Sequence, residues 1–187
     1  MPAPPLSDAR RVVVLWTGRL GDVLVSTPFL DGLRRAVPGA HITLVTTEAG
    51  EGGARLLDCV DAVAVVRKGR RLLANAALLP LLAKPADLLV DMNSAPSGTA
   101  AAMARLARAK VKAAFRRAKG DGAFDLLAEP AGEREHMLAR YRRLAALIGF
   151  ACADTMRVPV PPADAEHAQR ALHILHEGRR PVALFPG

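Results

Sequence analysis

Between residues 11 and 39 the chain reads RVVVLWTGRLGDVLVSTPFLDGLRRAVPG, and the chemistry it could do is concentrated in Gly18-Arg19-Leu20-Gly21-Asp22. Two glycines let a backbone turn tightly, and an acid closes the turn. That aspartate has two readings. At the start of a helix a carboxylate is stabilised by the helix dipole, worth roughly 0.3–1 kcal/mol, which is a purely structural task. Beside a ligand crevice the same group is a general base able to deprotonate an alcohol. Two other chemistries are excluded. The turn lacks the G-x-G-x-x-G spacing of a dinucleotide site, and no Gly-Lys-Ser/Thr follows to make a phosphate loop. An acid at that point would also repel a pyrophosphate from the helix start.

The elements around the turn say where it must sit. Residues 12–16 are a short, continuous, β-branched run and read as a buried strand. Ser26-Thr27-Pro28 resembles a helix start with Thr27 as N-cap and Pro28 at the first position, so Asp22 is expected in a looser turn before it. Leu30, Leu33 and Val37 continue that helix to Pro38-Gly39. Further strands are predicted at 41–46, 62–66, 87–91 and 110–115. Helices are predicted at 53–58, 69–83, 100–109 and 133–147, the last closed by Gly149. Residues 116–132 hold three glycines and a proline and read as a long loop. After the stiff stretch 158–162, Asp164 can N-cap a helix running to His176. Residues 181–187 read as a strand and a turn, either the first strand of a second domain whose remainder lies beyond Gly187 or an edge strand of the same sheet. Strands alternating with helices predict an α/β fold, a parallel sheet with helices on both faces, which places ligands at the carboxyl ends of its strands.

The 187 residues carry 26 Lys+Arg against 18 Asp+Glu, a formal charge of +8. Such an excess suits an anionic partner, and an Ala/Arg-rich chain from a GC-rich genome would show it without one. Nucleic acid is disfavoured as that partner by the scarcity of aromatics for base stacking. Cys59 and Cys152 have no metal-ligand spacing, so no metal is expected. No signal-peptide core and no apolar run of about 18 residues is present, so the expected location is cytoplasmic, at most peripheral to a membrane. Trp16 reads as core. His136 reads as a surface or capping histidine. Asp91, Asn93, Ser94 and Ser97 follow the fourth strand and either form its turn or hydrogen-bond a ligand.

The stretch GRLGDVLVSTPFLDGLRRAVPGAHITLVT resembles the opening of glycosyltransferase family 9, the lipopolysaccharide heptosyltransferases. The shared positions are Gly21-Asp22, the apolar pair Val23-Leu24, Thr27-Pro28 and Pro38-Gly39. The likeness continues more weakly through Leu88 to Asp91 with Asn93 and Ser94, Glu135-His136, and Val182 to Gly187. It implies a GT-B architecture of two Rossmann-like domains, with residues 10–158 the acceptor-binding domain and 159–187 a linker, helix and first strand of a truncated donor-binding domain. It implies transfer of a heptose from a nucleotide-sugar, ADP-heptose in this family, to a lipid-linked core oligosaccharide, with no further cofactor and Asp22 as base. It also suggests a place for His136 near the cleft. Arg19, then Arg67, Lys68, Arg70 and Arg71, then Arg116, Arg117 and Lys119 follow the first, third and fifth strands, on the rim that carries Asp22. With Gly18, Gly21, Asn93, Ser94 and His136 they are the expected contacts for an acceptor bearing carboxylates and phosphates, which arginine grips bidentately. The alternative is a binding module for an anionic saccharide or lipid that works without a donor site.

Overall fold

The structure, a computed structural model, describes residues 6–67, 75–117, 120–129 and 135–176. Six parallel strands form one sheet in the order β3-β2-β1-β4-β5-β6. They are β1 (Arg11–Leu15), β2 (His41–Thr47), β3 (Ala62–Val66), β4 (Ala86–Asp91), β5 (Ala109–Phe115) and β6 (Leu126–Ala128). The helices are α1 (Leu20–Val25), α2 (Thr27–Ala36), α3 (Glu48–Ala54), α4 (Leu78–Ala83), α5 (Gly98–Leu106), α6 (Met137–Ile148) and α7 (Pro162–His176). This is the Rossmann-like α/β sheet expected, and the strand order reverses direction between β1 and β4.

Strand β1 is buried along its whole length, and its side chains alternate between two cores, as a two-residue period requires. Val12, Val14 and Trp16 pack with Phe29 and Leu33 of α2 and with Tyr141, Leu144 and Ile148 of α6. Val13 and Leu15 face Leu78 and Leu82 of α4 and Met103 and Ala104 of α5. Each β1 neighbour is in register, Leu15 standing opposite Val45 on one side and Asp91 on the other. The carboxyl ends of β1 and β4 therefore finish level with one another, and β2 runs two residues further, to Thr47.

Several local expectations are corrected. Asp22 lies within a helix of six residues, α1, and not in a loose turn. Thr27 does not cap α2. Its hydroxyl bonds back to Leu24 O at 2.9 Å and accepts from Arg157 N at 3.2 Å, joining the α1–α2 corner to the segment ahead of α7. Helix α3 lies earlier than 53–58, with the sequence EAGEGGA. Its glycines conceal its helical character because they lower intrinsic propensity, yet close packing needs them: a Cβ on Gly50 would come within 2.9 Å of Gly18 O. Strand β6 emerges from the stretch read as loop, and it is only three residues long. Helix α6 begins at Met137, and α5 begins at Gly98, where the Ser97 hydroxyl accepts from Ala100 N at 3.3 Å. Gly149 ends α6 with φ 107° as expected. Asp164 lies in the first turn of α7 and does not precede it. The expected helix over 69–74 and the strand over 181–187 fall outside the described residues.

At the amino edge, Asp87 accepts from the backbone N–H groups of Arg10 (2.8 Å) and Arg11 (3.0 Å) and pairs with Lys110 Nζ at 2.8 Å. The Lys110 bond first, then those backbone donors, hold its carboxyl at about 2, below the ordinary 3.8. A depressed carboxylate stabilises the fold above its unfolded pKa, and that contribution is lost as pH falls. After discounting for solvent screening we expect about 1 kcal/mol from this group, lost between the ordinary 3.8 and about 2. Chemical denaturation of wild type and Asp87→Asn over that range checks it: the two curves should converge at the acid end.

Candidate active site

The turn after β1 is held from three sides. Trp16, buried in the strand end, donates its indole N–H to Asp22 O at 3.0 Å. The backbone N–H of Arg19 donates to Asp22 Oδ2 at 2.9 Å, so the carboxylate folds back over its own turn. Thr47 Oγ1, from the end of β2, donates to Gly18 O at 3.1 Å. Gly18 must lack a side chain because a Cβ there would stand 2.7 Å from Asp22 Cβ and 3.2 Å from the Trp16 ring. Gly21 is different: a Cβ there would meet nothing within 4 Å, so the space beside Asp22 is open.

Asp22 is exposed, and among the described residues nothing besides Arg19 N–H bonds its carboxylate. A carboxylate fixed by one oxygen and otherwise open to the crevice is suited to take a proton from a hydroxyl. Beneath it, Tyr141 packs edge-on to Trp16 with ring centroids 6.1 Å apart. The Tyr141 hydroxyl is fully buried with no hydrogen-bond partner among the described residues. Burial, and then the charge of Asp22, push its pKa well up from 10.0.

The expected contacts divide into those on the rim and those turned inward. Arg19 is exposed, and its guanidinium has no ion-pair partner among the described residues. Arg67, after β3, pairs loosely with Glu48 at 3.6 Å, and Arg116, after β5, pairs with Glu129 at 3.2 Å. Both pairs are about half exposed and are worth little in water, so an anionic ligand can displace either carboxylate. The strand order puts β3 and β5 each two strands from β1, about 10 Å to either side at the usual strand spacing. Arg67 and Arg116 thus bracket Asp22 on one edge. Ser94 is partly buried at the end of β4. Lys68, Arg70, Arg71 and Lys119 lie outside the described residues.

Arg117 and Asn93 are corrections. Arg117 was expected on the basic rim, yet its side chain is only 2% exposed and pairs with the fully buried Asp91 at 2.9 Å, beneath the Phe124 ring. The alternation of β5 breaks past its end: Phe115 faces the α6 side, yet two residues on Arg117 turns to the opposite face, against Asp91 and Phe124, while Arg116 faces solvent. Asn93 was expected to face a ligand and is instead consumed internally. Its amide donates to Asp91 Oδ1 at 2.6 Å, and its Oδ1 accepts from Thr17 N and Thr17 Oγ1 at 3.2 and 2.7 Å. Burial pushes the Asp91 carboxyl up, opposed by the Arg117 charge and by the two Asn93 donors. His136 caps α6, its Nδ1 accepting from Leu138 N at 3.2 Å, so that nitrogen is not offered to a ligand. Trp16 was read only as core. Nothing in its sequence position signals that its N–H grips the backbone of Asp22.

Elsewhere, one atom each of Asp31, Asp58 and Cys59 come within 4.8 Å of one another. The Arg157 guanidinium already occupies this group, bonding both oxygens of Asp58 at 2.6 and 2.9 Å. Burial pushes the Cys59 thiol up to about 12, which removes it as a thiolate ligand or nucleophile. The chemistry therefore converges on the carboxyl ends of β1 and β4.

No family model matches the chain, and no curated protein matches it. Solved structures do match. The glycosyl transferase family 9 from Veillonella parvula DSM 2008 is similar with a TM-score of 0.73 and 21% identity, over 94% of this chain and 52% of that one. E. coli heptosyltransferase WaaC with ADP gives a TM-score of 0.64 and 26% identity, over 78% and 49%. E. coli ADP-heptose lps heptosyltransferase II gives 0.61 and 17%, over 87% and 50%. The chain spans about half the length of each. The likeness to family 9 glycosyltransferases read from Gly21-Asp22 and Thr27-Pro28 is thus found again in three dimensions, and the fold of this chain is the fold of about half of such an enzyme.

Proposed function

We propose that residues 10–158 are the acceptor-binding, base-bearing domain of an inverting glycosyltransferase, and that 159–187 lead into a donor-binding domain. The observation that carries this reading is the position of Asp22: an exposed carboxylate, clamped by Arg19 N–H, at the carboxyl edge where the strand order reverses between β1 and β4. In the reaction, an acceptor hydroxyl beside Asp22 gives its proton to the carboxylate as its oxygen attacks the anomeric carbon. The bond from that carbon to the nucleotide's phosphate oxygen breaks, and the nucleoside diphosphate leaves with the electron pair. A heptose from ADP-heptose is the first donor to test, because one structural neighbour carries ADP and another structure of it carries ADP-2-deoxy-2-fluoro heptose.

Arg19, Arg67 and Arg116 would meet the carboxylates and phosphates of a lipopolysaccharide inner-core acceptor. The work would be done in the cytoplasm, against the inner face of the membrane. No helix among the described residues is long and apolar enough to cross a membrane.

Calorimetry on the 187 residues tests the division of labour. Saturable binding of a phosphorylated core oligosaccharide, weakened by salt, is expected, with no binding of ADP-heptose. Tight ADP-heptose binding with no response to the oligosaccharide would reverse the assignment of this half.

A further inference from the structure

We propose that the buried Asp91–Arg117 ion pair, acting through Asn93, is the positioning unit that holds the Asp22 turn in place. The proposal rests on the reading of Asp22 as the base. Three neighbouring strands, β1, β4 and β5, each contribute one part at their carboxyl ends. Arg117, just past β5, forms an ion pair from Nη2 to Asp91 Oδ2 at 2.9 Å, without hydrogen-bond geometry, and donates from Nη1 to Asn93 O at 3.0 Å. Asp91 Oδ1 in turn accepts from Asn93 N at 3.0 Å and from Asn93 Nδ2 at 2.6 Å. The Asn93 amide is therefore fixed in one orientation, with its oxygen aimed at β1. That oxygen takes both the N–H and the hydroxyl of Thr17, the residue immediately before Gly18.

Energetics favour positioning over stabilisation. Withdrawing two opposite charges from water costs several kcal/mol per ion, and a well-packed apolar pair of the same volume is often as stable. An apolar pair, however, offers nothing to orient an amide, and Asn93 left without partners would be free to rotate. What the ion pair supplies is direction. It sets Asn93, Asn93 sets Thr17, and Thr17 sets the two-residue span to Arg19, whose N–H holds the Asp22 carboxylate.

Hydrogen exchange on the 187-residue chain tests this without any assay of transfer. In the wild-type chain the amides of Thr17 and Arg19 are expected to be protected. Asn93→Ala should speed exchange at both by about tenfold, the equivalent of one lost hydrogen bond. The central-strand amides of Val13 and Leu89 should stay within about twofold. Thr17→Val, which removes only the hydroxyl, should speed Arg19 exchange by a smaller factor and serves if Asn93→Ala fails to fold. The proposal is overturned if Arg19 keeps its protection while Thr17 loses it, because the acid's turn then stands without the tether. It is equally overturned if Val13 and Leu89 lose protection in step with Arg19, because the unit then serves overall stability. Failure of the base reading shows separately, as normal transfer by an Asp22→Asn variant, and leaves the exchange result unaltered.

Discussion

Joined to a donor-binding domain, this chain carrying Asp22→Asn should transfer sugar about a hundred- to ten-thousandfold more slowly than its wild-type counterpart, the usual range for removing a general base. Acceptor binding should change little. Asparagine keeps an oxygen that can accept from Arg19 N–H, so the turn retains its clamp. What it loses is proton affinity, and the attacking hydroxyl then keeps its proton. The fold should tolerate the change because the side chain is exposed and α1 is anchored elsewhere, through the Trp16 indole on the Asp22 carbonyl and through Gly18 O on Thr47. A thermal melt within a few degrees of wild type, with transfer nearly abolished, is the expected pair of results. Transfer at more than a third of the wild-type rate would remove Asp22 from the mechanism.

The second large effect is on stability. Arg117→Met leaves Asp91 fully buried beside two Asn93 donors but without its counter-charge. Breaking a buried pair in this way typically costs about 3–5 kcal/mol, a large share of a domain's total. The pH dependence should betray the cause. An acid whose folded pKa lies above its unfolded value binds more protons when folded, so stability falls as pH rises through that window. Burial already pushes Asp91 in that direction, and loss of Arg117 pushes it further. The deficit of Arg117→Met, measured by denaturant unfolding, should therefore shrink as pH is lowered and Asp91 is protonated. Combining Arg117→Met with Asp91→Leu should recover most of the stability. It should not recover transfer, because Asn93 then has nothing to orient it.

Much of the fold is legible in the sequence, and each part that is not has a physical cause of its own. Strands β1 and β3 stand out because buried parallel strands are short, unbroken apolar runs, and β2 stands out by its alternating, β-branched residues. The Gly21-Asp22 and Thr27-Pro28 signature points to the end of the first of them as the candidate site. What stayed hidden depends on which way a side chain points once its strand has ended. Arg116 and Arg117 are adjacent and chemically alike, yet one faces solvent and the other closes a buried pair with Asp91. Asn93 reads as a turn residue or a ligand contact because it follows the fourth strand, at the crevice edge of the sheet. Its burial follows from the level ends of β1 and β4, a long-range fact. Helix α3 was displaced by its own glycines, whose value lies in the approach of Gly50 to Gly18 and not in helix propensity. Strand β6 is too short for any periodicity to register.

An acceptor served by Asp22 must bind beside the turn after β1. Amide chemical shifts of the 187-residue chain, followed while a phosphorylated core oligosaccharide is titrated in, locate it directly. Shifts concentrated at Gly18, Arg19, Gly21, Asp22, Ser94 and Arg116 are predicted, with Arg67 responding on the opposite flank. Shifts confined to the far side of α2, around Asp58 and Cys152, or none at all at saturating oligosaccharide, would contradict it.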